Sequence, residues 1–211
     1  MNATTTVYLV RHGQTEWNIE RRFQGHQDSP LTDMGVKQAT WLADALRDER
    51  IDAVYSSSSP RARRTADIVK GDRALAVREA DELKEINLGV WEGMRQEEAE
   101  RADPGAFRHF WDDPSEFRVE GSETFDETAA RSIGQLERIL SEHPGQTVLI
   151  VTHTVVVKLL MAHFEGRSLQ DLWKPPYIHP ACLCKIEVAG RQSEIVLHGD
   201  IRHYREEAEE S

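Results

Sequence analysis

Residues 7–18 read VYLVRHGQTEWN, an uninterrupted aliphatic run, Val7-Tyr8-Leu9-Val10, that ends abruptly in Arg11, His12 and Gly13. A short apolar run rich in β-branched and aromatic side chains, with no turn residues inside it, reads as a buried strand. Residues 147–153, TVLIVTH, repeat the design with His153 at the carboxyl end. Strands of this kind belong to a parallel sheet covered by helices on both faces. Such sheets bind ligands in the crevice beyond the carboxyl ends of their strands, so Arg11, His12 and His153 are candidates for one site.

The segments between these strands supply the helices. Ala39, Leu42, Ala43 and Leu46 recur at helical spacing behind Thr32, a suitable N-cap. A second strand is expected at Ala53–Tyr55, and Ser59 before Pro60 predicts a helix through Val69 with Arg61 in its first turn. A third strand is expected at Ala74–Val77, followed by a glycine-bearing connection, DELKEINLGVWEG. Residues 94–120 are charged, with Phe107, Phe110, Trp111 and Phe117 interleaved, and read as a helical insertion over one side of the site. From Gly121 a helix with Phe125, Ala129, Ile133, Leu136, Ile139 and Leu140 as its buried stripe runs to Pro144-Gly145. A further helix follows His153, and CLCKIEV and SEIVLHG close the sheet. The expected fold is α/β: a three-layer α/β/α sandwich with a mostly parallel central sheet. One domain spans residues 1–205, with an acidic tail at 206–211; REEAEES, from Arg205, reads as a solvated or frayed end.

With 211 residues, 39% of them hydrophobic, the chain suits one domain with a substantial core. A formal net charge of −11 argues against nucleic acid and anionic membranes as partners. It does not argue against a small anion, because a few basic side chains in a pocket focus the field locally. No apolar run approaches the ~20 residues of a membrane helix, and no secretory layout opens the chain, so the cytoplasm is the expected compartment. Cys182 and Cys184 alternate on a strand and point to one face, which disfavours a disulfide; they read as small half-buried residues. His26, His109, His163, His179, His198 and His203 have no metal-ligand spacing and are read as surface or core residues; no metal is expected.

Arg11 and His12, Arg61 and His153 each follow a strand, and each alone is a weak signal. Together they offer two planar cationic forks and two imidazoles, a set suited to a phosphoryl group. His12 can act as nucleophile through one ring nitrogen if the other donates to a backbone carbonyl.

At this point the sequence resembles the histidine phosphatase, or phosphoglycerate mutase-like, superfamily. The resemblance is carried by LVRHGQTEWN, RFQGHQDSPLTDMG, SSSPRARRTA, LKEINLGVWEG and VTHT, in the family's order and spacing; FRHFW and WKPPY resemble its broad-specificity bacterial phosphatases. The resemblance implies that His12 is transiently phosphorylated, that Arg11, Arg61 and His153 bind the phosphoryl oxygens, and that Glu85 is the proton donor. Asn18 and Gln24 fall where family members hydrogen-bond the phosphate; Trp111 is a candidate wall for substrate, and Thr65 and Thr152 are read as structural. In those roles His153 is expected protonated, His12 neutral, and Glu85 with a raised pKa, supplied by partial burial or by the arriving dianion. Gly13 is read as room for a tight turn. Thr154 departs from the glycine usual in the family, and a β-branched residue resists positive φ, so a change in the His153 loop is expected.

Mutases of the family carry Arg and Tyr after the Glu85 equivalent and paired arginines in the insertion. Here Ile86-Asn87-Leu88 and the scattered Arg95, Arg101, Arg108 and Arg118 stand instead. The expected reaction is hydrolysis of a small phosphate ester, without cofactor. The alternatives are a cofactor-dependent phosphoglycerate mutase and a non-catalytic relative that binds phosphorylated ligands. The sequence leaves open the physiological ester and whether the chain forms a homo-oligomer.

Overall fold

The computed structural model describes residues 3–205, so the acidic tail at 206–211 lies outside the described residues. In chain order the elements begin β1 (Thr5–Arg11), α1 (Glu16–Ile19), α2 (Asp33–Ala45), β2 (Ala53–Ser57), α3 (Pro60–Lys70) and β3 (Val77–Ala80). They continue with α4 (Gln96–Ala102), α5 (Pro104–Asp112), α6 (Phe125–Glu142), β4 (Thr147–Thr152), α7 (Thr154–Glu165), β5 (Leu183–Ala189) and β6 (Gln192–Asp200).

The six strands form one sheet in the order β3-β2-β4-β1-β5-β6. Strands β3, β2, β4 and β1 run parallel, and β5 and β6 add an antiparallel edge. Each parallel crossover carries a helix, whereas β5 and β6 need only a two-residue turn at Gly190-Arg191, with Gly190 at φ 65°. In register, Val7 lies beside Val148 and Arg11 beside Thr152, so the carboxyl ends of β1 and β4 finish level.

Alternation along these strands divides the core. Val7, Leu9, Val148 and Ile150 face Leu136 and Ile139 of α6 and Val156, Val157 and Leu160 of α7. Tyr8, Val10, Leu149 and Val151 face Ala39 and Leu42 of α2 and Ala62, Ala66 and Val69 of α3. The expected three-layer sandwich results. A third cluster, with Phe23, Trp91, Phe110, Phe117 and Phe125 at its centre, fixes α4 and α5 to the body beside the carboxyl ends of the strands.

Several local expectations shift. β3 lies at Val77–Ala80 rather than 74–77, because β2 extends through Ser57 and sets the register, Val54 opposite Val77 and Ser57 opposite Ala80. Ser59 precedes α3 but makes no side-chain cap bond. α6 starts at Phe125 behind Thr124, which forms a reciprocal capping box with Glu127. Its buried face takes in Thr128, Ser132 and Gln135, while Ala129, Ile133 and Leu140 are half-buried. The cysteines are free and fully buried rather than half-buried, and burial pushes the Cys182 thiol up to about 12 and that of Cys184 higher still. Arg205 is solvated, as expected, and makes an ion pair to Asp44 at 2.7 Å.

Gly13 serves a different purpose from the expected turn. Its φ is not positive, and a Cβ there would collide with the carbonyl oxygen of Gly35, as one on Gly35 would with that of Gln14. The two glycines let the first turn of α2 press onto the loop behind His12.

Candidate active site

The carboxyl ends of β1, β2 and β4 bring three side chains together. His12 follows β1, and its Nδ1 lies 2.8 Å from the Gly13 carbonyl oxygen. A carbonyl only accepts, so Nδ1 carries the proton and Nε2 holds the lone pair. His153 follows β4 as the N-cap residue of α7, fully buried, with its Nε2 2.8 Å from Oγ of Ser57, the last residue of β2. The two imidazole centroids are 5.2 Å apart, edge to face.

Two guanidiniums flank the rings. Arg11 donates to the Ile178 carbonyl at 2.7 Å. Arg61 donates to the carbonyls of Gln27 at 2.7 Å and Gly25 at 2.9 Å and to Oδ1 of Asp28 at 2.9 Å. Each keeps a buried Nε–H without a protein acceptor among the described residues, and such orphaned donors call for an explanation. Thr65, at the next turn of α3, accepts from the Gly13 amide at 3.1 Å and donates to the Arg61 carbonyl at 2.8 Å, tying α3 to the His12 loop.

Burial, then the charge of Arg61, holds both histidines well below their ordinary range. For His12 this is the neutral form a nucleophile needs. His153 is likewise neutral at rest, with a hydroxyl facing its Nε2 and no carboxylate accepting from it among the described residues; the expected imidazolium concerns the site with a phosphoryl group bound. Glu85 goes the opposite way. Its carboxylate accepts from the amides of Ile86 at 3.0 Å and Val155, in the first turn of α7, at 3.1 Å. Burial nevertheless outweighs these amides and the two arginines, and pushes the carboxyl up.

These groups open on a cavity of about 620 Å³. Asn18, Gln24 and Trp111 all line it, together with Leu88, Phe110, Trp173 and Tyr177. Asn18 and Gln24 are both tied to Thr15. The Asn18 side-chain oxygen accepts from the Thr15 amide at 3.1 Å, and the Gln24 amide donates to Oγ1 of Thr15 at 2.8 Å, leaving its own oxygen buried without a partner among the described residues. Gln24 therefore presents a carbonyl rather than the expected donor, and a half-turn of the amide exchanges the two. Trp111 packs on Phe110 and Trp173 at 4.9 and 4.7 Å between centroids, which keeps its ring in the wall.

Comparison with known proteins places this geometry. The sequence pattern of the histidine phosphatase superfamily (branch 1) matches residues 7–201, from the first residues of β1 to just beyond β6. The chain belongs to the histidine phosphatase superfamily. It is 36% identical over 167 residues to phosphoserine phosphatase 1 of Hydrogenobacter thermophilus, covering 79% of each chain. It is 32% identical over 191 residues to the uncharacterized phosphatase PhoE of Bacillus subtilis, covering 90% of this chain and 92% of that one. Among solved structures, Bacillus stearothermophilus YhfR matches with a TM-score of 0.92 and 44% identity, over 94% of this chain and 98% of the other.

This histidine phosphatase departs from its sequence reading at two further points. Thr154 is the first residue of α7, and its φ is not positive, so the β-branched side chain meets no strain and the His153 loop needs no adjustment. His179, read as a surface or core residue, lines the cavity with its ring 4.6 Å from that of Tyr177. Sequence reasoning also passed over Ser57, Lys158 and Arg131. Lys158 left a signal: it is the lone charge in the otherwise apolar first turns of α7, and it is buried, donating to the carbonyls of Lys174 at 2.6 Å and Pro176 at 2.8 Å. Ser57 was one serine among four, distinguished only by where β2 ends.

Proposed function

We propose that this histidine phosphatase hydrolyses small phosphate monoesters through a phosphoryl group carried on Nε2 of His12. The observation that supports it most is the 2.8 Å bond from Nδ1 to Gly13, which fixes the tautomer and leaves a neutral nitrogen nucleophile between Arg11 and Arg61. Phosphoryl transfer proceeds through a loose transition state with its charge spread over three oxygens, so fixed donors supply most of the rate. Arg11, Arg61 and His153 are the proposed donors, and His153 takes up a proton as the dianion arrives, since an adjacent negative charge raises an imidazole pKa.

In the first step the N–P bond forms as the ester P–O bond breaks, and protonated Glu85 gives its proton to the leaving oxygen. In the second, the Glu85 carboxylate takes a proton from water, the resulting hydroxide oxygen attacks phosphorus, and the N–P bond breaks. His12 is restored neutral and inorganic phosphate leaves. A buried carboxyl with a raised pKa suits both halves of that cycle.

Hydrolysis rather than mutase chemistry is supported by the cap, where none of Arg95, Arg101, Arg108 and Arg118 lines the cavity and Ile86 and Leu88 do. Phe110, Trp111 and Trp173 give the leaving group an apolar wall that tolerates varied shapes. The phosphoserine phosphatase relative adds amino-acid phosphates to the candidate esters. The reading places the reaction in the cytoplasm, consistent with two buried unpaired thiols. Phosphate release from p-nitrophenyl phosphate, surviving chelator and lost in His12→Ala, is the expected result. Persistent turnover in His12→Ala overturns the phosphohistidine step, and efficient conversion of 3-phosphoglycerate to 2-phosphoglycerate with the 2,3-bisphosphate overturns hydrolysis.

A further inference from the structure

The cavity wall is far more cationic than one phosphate requires. Arg11, Arg21, Arg22, Arg61 and Lys158 line it, and among the described residues Glu85 is its single acidic side chain, in a chain of net charge −11. Most of those cations are already engaged. Arg11 and Arg61 bind carbonyls and Asp28 at the floor, Lys158 holds two carbonyls of the loop after α7, and Arg22 pairs with Glu20 and the Gly93 carbonyl. Of the four arginines, Arg21 alone has a guanidinium without a partner among the described residues.

Its backbone is equally distinctive. Arg21 follows the C-cap of α1 with φ at 53°, the left-handed conformation for which glycine is the usual choice. Both of its backbone groups are held there: the amide donates to the Asn18 carbonyl at 3.3 Å, and the carbonyl accepts from the Gln96 amide, at the start of α4, at 2.9 Å. Asn18 and Gln96 themselves line the cavity. A non-glycine residue kept in this region by its surroundings is the pattern found at ligand clamps.

We infer that Arg21 is a specificity-determining residue that reads an anionic group on the alcohol portion of the substrate, so that the preferred esters carry a carboxylate or second acid beyond the phosphate. The inference rests on the phosphatase reading above and narrows it. The aromatic wall accepts the carbon skeleton, and the guanidinium at the rim selects for charge at its far end.

The test compares kcat/KM for 3-phosphoglycerate and glycerol 3-phosphate, read as inorganic phosphate released. These esters share a three-carbon primary leaving group and differ in a carboxylate against a hydroxymethyl group. Wild-type enzyme is expected to favour the carboxylate. In Arg21→Gly that preference falls about three- to tenfold, the range for one charge-assisted contact near solvent, and Arg21→Lys recovers much of it. The glycine variant suits the left-handed backbone, so its Tm is not expected to fall. No wild-type preference, or a preference unchanged in Arg21→Gly, overturns the inference. Turnover of p-nitrophenyl phosphate and its loss in His12→Ala report separately on the phosphatase reading.

Discussion

Glu85 sits within the influence of Arg61 and Arg11 and accepts two backbone hydrogen bonds, all of which favour its charged form, yet its pKa is raised. Burial decides the sign, because a carboxylate withdrawn from water loses more than these neighbours return. A protonated donor matters most when the leaving oxygen is strongly basic. Glu85→Gln is therefore expected to slow glycerol 3-phosphate hydrolysis by about 10²- to 10³-fold and p-nitrophenyl phosphate hydrolysis by less than about tenfold. Steady-state kcat on the two esters checks this, and equal slowing would remove Glu85 from the donor role. His12 and Arg61 were legible in the sequence and Glu85 through the family resemblance, and the neutral His12 and the raised Glu85 pKa expected from their roles agree with the structure. His153 looked like a cation from its proposed task and is held neutral by the burial around it.

Glu85 belongs to a connection with little regular structure, and its position is imposed from α6. Arg131 donates to the carbonyls of Glu82, Lys84 and Glu85 at 2.8, 2.7 and 2.9 Å, while Glu123 accepts two further bonds at 2.8 Å. Only a planar fork serves so many acceptors at once. Arg131→Lys keeps the charge and loses the fork, so kcat is expected to fall about tenfold on alkyl phosphates and less on p-nitrophenyl phosphate, echoing Glu85→Gln. A loss of the same size on both esters would mark Arg131 as structural only. Nothing in GSETFDETAARSIGQ announces this role, since an arginine on an amphipathic helix reads as solvated surface. The helices themselves were legible, Thr32 and Pro60 marking their starts as the structure has them. β3 was misplaced by three residues because a short edge strand takes its register from its neighbour.

At the scale of the whole molecule, pH acts through the buried imidazoles. His12 and His153 have folded pKa values well below the ordinary 6.5, chiefly through burial. The unfolded chain takes up protons near pH 6.5 that the folded chain refuses, so the stability they contribute is complete above that value and is lost as pH falls below it. Glu85 has the opposite sign: its raised folded pKa contributes stability at low pH that disappears as pH rises through that value. Two imidazoles outweigh one carboxyl, each worth about 1.4 kcal/mol per pH unit once the unfolded chain is protonated. Tm is expected to drop on the order of 5 °C between pH 7 and 5.5, and by less in His153→Gln. Thermal melts across that range check it; a Tm that holds or rises on acidification contradicts the burial argument.

The sequence by itself determined the layered α/β fold, through two aliphatic strands and the helical periods between them, and it marked the carboxyl ends of those strands as the candidate site. It could do so because periodicity and capping act over a few residues, and because RHG, the arginine after Ser59-Pro60 and VTH, each a weak signal alone, all follow strands and together suit a phosphoryl group. Tertiary structure decided what depends on neighbours distant along the chain. Gly13 is required by Gly35 rather than by its own turn, His153 is oriented by Ser57 across the sheet, and Glu85 is held by Arg131 and the start of α7. Desolvation and the company of other charges belong to no single segment, so the neutral resting state of His153 emerges only once the chain has closed around it, and that the exposed Arg21 guanidinium has no partner among the described residues is visible only in the fold.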